Sequence, residues 1–527
     1  MPRKKPSGVS ILLLVVIALG MTAVRFAFIE GSLPYVRHGD EMMWASRSLG
    51  ILQSGDLNPH RFTKGGAHVY FMTAGLALGF VRAAANVEVD KLQKMGSEVC
   101  FEYKVPRAAG VAKKMYALVS VLAVVLAGVL AFRLTGQSAA LWLAPLFVCV
   151  SENYLYYSWW YMNTNVLGAF GIIATVAYPF LAREGVSTQR KALVLGTLSG
   201  FTIATKYNFF LILLPACAYF ILHYRERALS HCLLVVGAAI VTFVALTPYA
   251  ILDIHTFVAH VGREAFHYAN GHFDGSTQTF EPGWEMFQQY FAVLHDSFGS
   301  LVLVLSVVGL GWLLLRDARS AVVVFLFPVV FFAYMTDQRT FFERNLMSLH
   351  LFVGIGAAMG FLYVVGLLAG WLGSRPWFGA RPLRARIGGA LLGALFVLAA
   401  LPWDHVRAAY DPEEEPRHQA VEWILDNVPP GSLLLVEKRV LLSTGRLEEE
   451  GYEVVPIKLE SGRDSQERLR ATYGNAVVVH PRFLSDPHEE ILLGATSLAE
   501  FGHRPVDVSV GLGCGRFPPK VKIGRLG

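Results

Sequence analysis

Two adjacent carboxylates, Asp40 and Glu41, stand in Arg37-His38-Gly39-Asp40-Glu41, just past an apolar run at 9–29, and are followed by Ser54-Gly55-Asp56-Leu57-Asn58-Pro59. The stretch is too polar to face lipid. A carboxylate pair at a membrane surface suits general-base chemistry on something the membrane holds. If the leaving group is a phosphate, cations must neutralise it at headgroup depth. Lys206, in the turn Thr205-Lys206-Tyr207-Asn208, and Arg344, in Glu343-Arg344-Asn345 with Arg339 nearby, meet that condition. The plainer alternative is that both cations snorkel as interface anchors. Asp40 could equally cap a surface helix running from Glu41 to Ile51, and Asp56 beside Gly55 reads as a turn residue.

The loop 252–296 carries His255, His260, Glu264, His267 and His272. His260 and Glu264 are one helical turn apart and His267 continues that face, a spacing a metal could use. No second tight pair accompanies them, so contact with a sugar or acceptor by His267, Tyr268 or His272 is the reading preferred over a metal site. Gly511-Leu512-Gly513-Cys514-Gly515 lacks the lysine and the strand-loop-helix context of a phosphate loop.

What positions these residues follows from composition. The chain has 527 residues, 54% of them hydrophobic and 16% charged, and a mean hydropathy of +0.45; a soluble core cannot absorb that much apolar surface. The expectation is a polytopic membrane protein. Residues 9–29, behind Arg3-Lys4-Lys5, are long enough for a full span and read as uncleaved. The five cysteines suggest no disulfide framework. The net charge of +6 comes largely from short basic loops and speaks to orientation, not to nucleic acid.

Putting those basic loops inside gives about eleven spans, at 9–29, 111–132, 139–157, 164–182, 192–205, 207–222, 230–251, 297–315, 320–336, 346–372 and 387–402. The segment 67–84 is apolar enough to cross but would flip the parity, so it is expected to lie along or dip into the outer surface. Residues 158–165, the Lys206 turn, 252–296 and 337–345 then share the outer face. Past Pro402, the acidic linker 411–416 leads into alternating helix and strand patterns: a helix at 419–427 with Trp423 and Leu425 inward, and strands at 433–436 and 477–479. The domains expected are a membrane-embedded 1–402, with an external catalytic loop at 30–110, and an extracytoplasmic α/β module at 403–527.

In their order and spacing, Gly39-Asp40-Glu41, Ser54 to Pro59, Thr205 to Asn208 and Glu343-Arg344-Asn345 resemble the landmarks of polyprenyl-phosphate-dependent GT-C glycosyltransferases, which include the protein O-mannosyltransferases and the lipid A aminoarabinose transferase. The resemblance covers residues 9–402. It implies an all-α polytopic membrane bundle of GT-C type, with surface-lying helices and a small C-terminal α/β soluble domain. It implies transfer of a sugar from a polyprenyl-phosphate donor to a lipid, glycan or protein acceptor on the outer face, in a bacterial inner membrane, with no tightly bound cofactor. Asp40, with Glu41, would be catalytic, and Lys206, Arg344 and Lys64 would hold the donor phosphate. The chain departs from the pattern in two ways. A second acidic position is filled by Asn165, with Glu152 nearby as the expected substitute and both expected to contact acceptor or sugar, and Lys64-Gly65-Gly66 stands where some relatives carry Lys-Pro-Pro. Competing readings are a transporter or lipid flippase, which would want charges in mid-span and a halved repeat, and a glycan polymerase or ligase.

Overall fold

The computed structural model describes residues 5–34, 38–85, 106–159, 162–271, 278–373, 416–437, 442, 444–457, 471–473, 476–482, 496–501 and 520–525. The described helices are α1 (Gly8–Ser32), α2 (Gly39–Ser54), α3 (Gly66–Ala84), α4 (Pro106–Thr135), α5 (Ala140–Cys149), α6 (Glu152–Trp159), α7 (Thr164–Leu181), α8 (Thr188–Thr205), α9 (Leu213–His223), α10 (Ala228–Leu246), α11 (Tyr249–Leu252), α12 (Ile254–Asn270), α13 (Trp284–Arg316), α14 (Ala318–Thr336) and α15 (Met347–Gly373). Short 3-10 turns at Tyr207–Ile212 and Glu343–Leu346 lead into α9 and α15.

Among the described residues, eight helices are long and apolar enough to cross a membrane. Apolar composition makes the bundle, because every backbone polar group in hydrocarbon must be satisfied within its own helix. Shorter passes complete it. α5 and α6 together run the length of one span: Leu141 packs with Leu14 and Phe132 near one end, while Ser158 meets Arg25 near the other. Their break at Ser151 is capped internally, the Ser151 hydroxyl taking the Tyr154 N–H at 3.0 Å and meeting His350 Nδ1 at 2.6 Å. α13 bends at Gly299 (φ 70°), close to the expected start of the span at 297. The expected span 387–402 and the linker 411–415 lie outside the described residues.

Helix α3 is counted among the eight by length and composition, yet its contacts fit the surface reading. α1 and α4 run antiparallel: Ser7 donates to Ser138 at one end, and Glu30 pairs with Lys114 toward the other. The chain between them therefore leaves and re-enters the bundle at the same end. α3 packs on the first third of α4, where Phe71 and His68 meet Tyr116 and Gly75 and Gly79 press on Ala112 and Ala108. The rest of α4, Ala117 to Thr135, is about 28 Å long at 1.5 Å per residue, enough for the hydrocarbon core by itself.

The C-terminal unit carries helix α16 (Pro416–Asn427), β1 (Leu433–Glu437), helix α17 (Gly445–Glu449), β2 (Glu453–Ile457), β3 (Val477–Arg482), β4 (Thr496–Phe501) and β5 (Lys520–Arg525). Its sheet has the order β2-β1-β3-β5-β4, with β1 parallel to β2 and β3, and β5 antiparallel to β3 and β4. The expected helix and strands are present, and the inward face of the helix is centred on smaller residues, with Trp423 and Leu425 packed at its edge. Ala420, Val421 and Ile424 pack against Leu434, Val436 and Val479, while Trp423 and Leu425 are only partly buried.

Candidate functional site

One end of the bundle gathers a small polar cavity lined by Asp40, Trp44, Lys64, His68, Met162, Thr164, Asn165, Lys206, Tyr268 and Arg344. These residues come from α2, α3, α7, α12 and the turns before α3, α7, α9 and α15, so only the folded bundle assembles them. The helix cap at α2 is His38, whose Nδ1 accepts the Asp40 N–H at 3.0 Å. That corrects the alternative in which Asp40 caps the helix: Asp40 stands in the first turn, where the helix dipole favours a carboxylate, and its side chain faces the cavity, 28% exposed.

Three cations surround it. Arg344 Nη2 lies 3.8 Å from Asp40 Oδ2, and its guanidinium stacks 4.0 Å over the Phe342 ring. The strand-like stretch before it is pinned to α12: Thr340 Oγ1 donates to the His267 carbonyl at 2.5 Å, and the Tyr268 carbonyl accepts from the Arg339 and Thr340 N–H groups. Lys64 Nζ lies 3.6 Å from Glu264 Oε1. The glycines after it allow this approach, since a Cβ on Gly65 would fall 2.0 Å from the Ala204 carbonyl oxygen and one on Gly66 2.3 Å from that of Leu246. Gly-Gly thus takes the place of Pro-Pro by letting the turn press on the ends of α8 and α10. Lys206 is buried and donates to Asn165 Oδ1 at 3.0 Å and Asn345 Oδ1 at 2.5 Å, with the Tyr268 ring 6.0 Å away.

The charges are unbalanced toward the cations, Lys64, Lys206 and Arg344 facing Asp40 and Glu264. Burial by itself would raise the Asp40 carboxyl, but His38, Lys64, Arg344 and His68 together hold it well below the ordinary carboxylate range. Burial, reinforced by Arg344 and Lys64 and opposed by Asp40, brings His38 down to about 4. With His38 neutral near pH 7, Lys64 and Arg344 are the standing charges that keep Asp40 ionised. Burial likewise pulls Lys206 well below its usual value, and Lys64 and Arg344 push the same way. An anion bound among the three cations would relieve that repulsion.

Several expected residues do not join this cluster. Glu41 turns away, its fully buried carboxylate pairing with Lys113 of α4 at 2.9 Å instead of lining the cavity. Asn165 does line the cavity, where its side-chain oxygen holds Lys206. Arg339 faces outward to Glu281 at 2.9 Å. Glu152 opens α6, beside Asn153, which bonds to Ser297, and does not line the cavity. His267 packs on Phe342 and also stands back from the cavity, whereas Tyr268 lines it. His272 and the run 511–515 lie outside the described residues. His260 Nδ1 accepts the Phe62 N–H at 3.3 Å, Glu264 serves Lys64, and among the described residues no group of three or more His, Cys, Asp or Glu could hold a metal ion.

Sequence reading missed His38, Trp44, His68 and Lys113. His68 opens an otherwise apolar helix and donates to or accepts from Tyr116 at 2.8 Å; a polar residue at such a helix start was the available signal. Lys113 had none, since its partner is 72 positions away in sequence and adjacent only after α2 docks on α4.

No protein-family profile matches the sequence, and no curated protein matches it. Solved structures do. ArnT from Cupriavidus metallidurans bound to undecaprenyl phosphate aligns with a TM-score of 0.55 at 13% identity, over 98% of this chain and 97% of that one. The Archaeoglobus fulgidus oligosaccharyltransferase in its apo form aligns at 0.51 and 12% identity, over 95% and 75%. The same organism's AglB, in complex with an inhibitory peptide and a dolichol-phosphate, aligns at 0.51 and 13%, over 90% and 69%. Along nearly its whole length, the chain has the fold of these polytopic GT-C membrane glycosyltransferases.

Proposed function

We propose that the chain is a membrane glycosyltransferase that moves a sugar from a polyprenyl-phosphate donor to a hydroxyl or amine on a lipid, glycan or protein acceptor. The observation that carries this reading is the single ionised carboxylate, Asp40, facing the cavity beside Lys64, Lys206 and Arg344. The acceptor oxygen or nitrogen attacks the anomeric carbon while Asp40 takes its proton. The bond from that carbon to the phosphate oxygen breaks, its electron pair stays on the phosphate, and the three cations stabilise the charge that develops there. By themselves those cations make Asp40 a weak base. A donor phosphate among them cancels much of their pull, so Asp40 becomes more basic as the donor binds.

The reading uses no resident cofactor: the lipid-linked sugar is the donor substrate. It is supported by the fold, which is the fold of ArnT and AglB, structures solved with undecaprenyl phosphate and dolichol-phosphate. The cavity end of the bundle is assigned to the outer face of a bacterial inner membrane, with the C-terminal α/β unit on the same side. That rests on the basic loops at the opposite end, Arg183 to Lys191, Arg225 with Arg227, and Arg316 with Arg319.

The test offers purified protein in nanodiscs a panel of sugars linked to polyprenyl phosphate or to nucleotides. Release of polyprenyl phosphate with transfer of the sugar to an added acceptor is expected from the lipid-linked set alone. Consumption of nucleotide-linked sugars only, or movement of the lipid across the bilayer without bond cleavage, would overturn the proposal.

A further inference from the structure

Helix α12 presents three distinct faces. One is spent on the cavity: Phe257 meets Phe62 ring to ring at 5.7 Å, Glu264 pairs with Lys64, and Tyr268 lines the cavity. At about 100° per residue, Ile254, Val258 and Ala265 fall on a neighbouring face, with Phe266 at its edge. That face is exposed and, His255 apart, apolar: Val258 is 59% exposed, Ile254 47% and Phe266 48%. A third face carries Thr256, His260, Arg263 and His267, and Arg263, which borders the apolar face, is exposed. Arg47 and Arg61 are close enough to act electrostatically on His260 alongside it.

The apolar face follows in the chain on a surface whose exposure and composition suit lipid. α10, which leads into α11 and α12, is among the helices apolar enough to span and only 17% of its window is buried inside the protein. Its flank, with Leu233 and Val241 exposed at 63% and 69%, runs on into Ile251 and Leu252, exposed at 58% and 74%. A helix with an apolar face, an arginine at its border and a hydrocarbon-facing neighbour is built to lie in a membrane interface.

We propose that α12 lies in the interface of the leaflet at the cavity end, its apolar face among the upper acyl carbons and Arg263 against anionic lipid headgroups. The same helix holds Lys64 and Tyr268, so the leaflet itself supports the cavity wall. The proposal concerns where α12 sits and stands apart from the transfer reaction.

An environment-sensitive fluorescent amino acid incorporated at position 258 of the full chain, reconstituted in nanodiscs of phosphatidylcholine with or without phosphatidylglycerol, tests it. The expected result is emission shifted to the blue, strong quenching by lipid spin-labelled near the headgroup, and less quenching by aqueous iodide than at position 281. Phosphatidylglycerol should deepen the lipid quenching, and Arg263→Gln should abolish that increment while leaving the apolar contact. Iodide quenching equal to position 281 would overturn the proposal. Shielding from both quenchers would overturn it too, by showing that a protein surface covers the helix. Lipid quenching indifferent to phosphatidylglycerol and to Arg263→Gln would overturn the headgroup contact.

Discussion

The Glu41–Lys113 pair fixes the direction in which Asp40 points. The two charged ends lie 2.9 Å apart with both side chains fully buried, next in sequence to the residue that faces the cavity. Removing one partner leaves an uncompensated buried charge, which costs about 3–5 kcal/mol; Lys113→Met should therefore lower stability by that amount. Glu41→Leu together with Lys113→Met buries no charge and should recover most of the loss, because well-packed apolar replacements of buried pairs are often neutral. The expected coupling in the double-mutant cycle is about 3 kcal/mol. Unfolding midpoints of the four proteins in the same detergent, by thermal shift and by SDS titration, read it out. Turnover adds a second readout. Lys113 does not line the cavity, yet a shift of α2 by about 1 Å is enough to cost about 100-fold in rate, so folded Lys113→Met should lose kcat with little change in KM. Wild-type stability in both single mutants, or a double mutant less stable than either, would refute the argument.

Arg344→Lys should retain part of the donor affinity through its point charge, while Arg344→Gln retains almost none; equal, wild-type behaviour of the two would make Arg344 an interface anchor. Because its carboxyl is held below the ordinary range, loss of Asp40 ionisation should not limit kcat/KM of the free enzyme between pH 7 and 5. Removing a lowering charge in Arg344→Gln should move the acid limb to higher pH, and a limb that stays put would disconnect the two residues. His38, lowered to about 4 by burial, is neutral in the folded protein while the unfolded chain takes up a proton below about 6.5. Stability should thus decline as pH falls from about 6.5 to about 4, and His38→Asn should flatten that slope. Membrane-impermeant thiol labelling of cysteines placed at Asp56 and at Glu450 in intact cells should modify both; labelling of either only after permeabilisation would break the common outer face.

Much of the bundle was legible because an apolar span is long, strongly patterned and dictated by the solvent around it. For α3, parity argued for a surface position, with which the antiparallel α1–α4 packing accords, while its length and composition would also allow a span. The cations of the site were legible for a related reason: Lys206 and Arg344 fall at span ends, where a charge has few roles. Side-chain direction was not. Glu41 and Asp40 are neighbours in sequence but differ by about 100° around α2, and only the docking of α2 on α4 decides which one faces the cavity. Arg339 and Arg344 differ in the same way, one taken by a surface glutamate and the other by the cavity. His38 as a helix cap escaped notice because Asp40 has the stronger preference for that role. In the C-terminal unit the helix was legible and so was part of its inward side, Trp423 and Leu425 packing at the edge of the core, while its buried centre, the smaller Ala420, Val421 and Ile424, was not.

The central claim, that Asp40 takes the acceptor proton while the cations hold the donor, rests on one comparison. Asp40→Asn keeps the shape and loses the proton acceptor. Transfer from a polyprenyl-phosphate sugar and equilibrium binding of that donor, measured on the same folded preparation in nanodiscs, separate the two roles. The account predicts turnover reduced by about 100-fold or more, with donor binding kept or tightened, because Lys64, Lys206 and Arg344 remain and a competing negative charge is gone. Near-normal turnover by Asp40→Asn, or loss of donor binding in step with loss of rate, would contradict it.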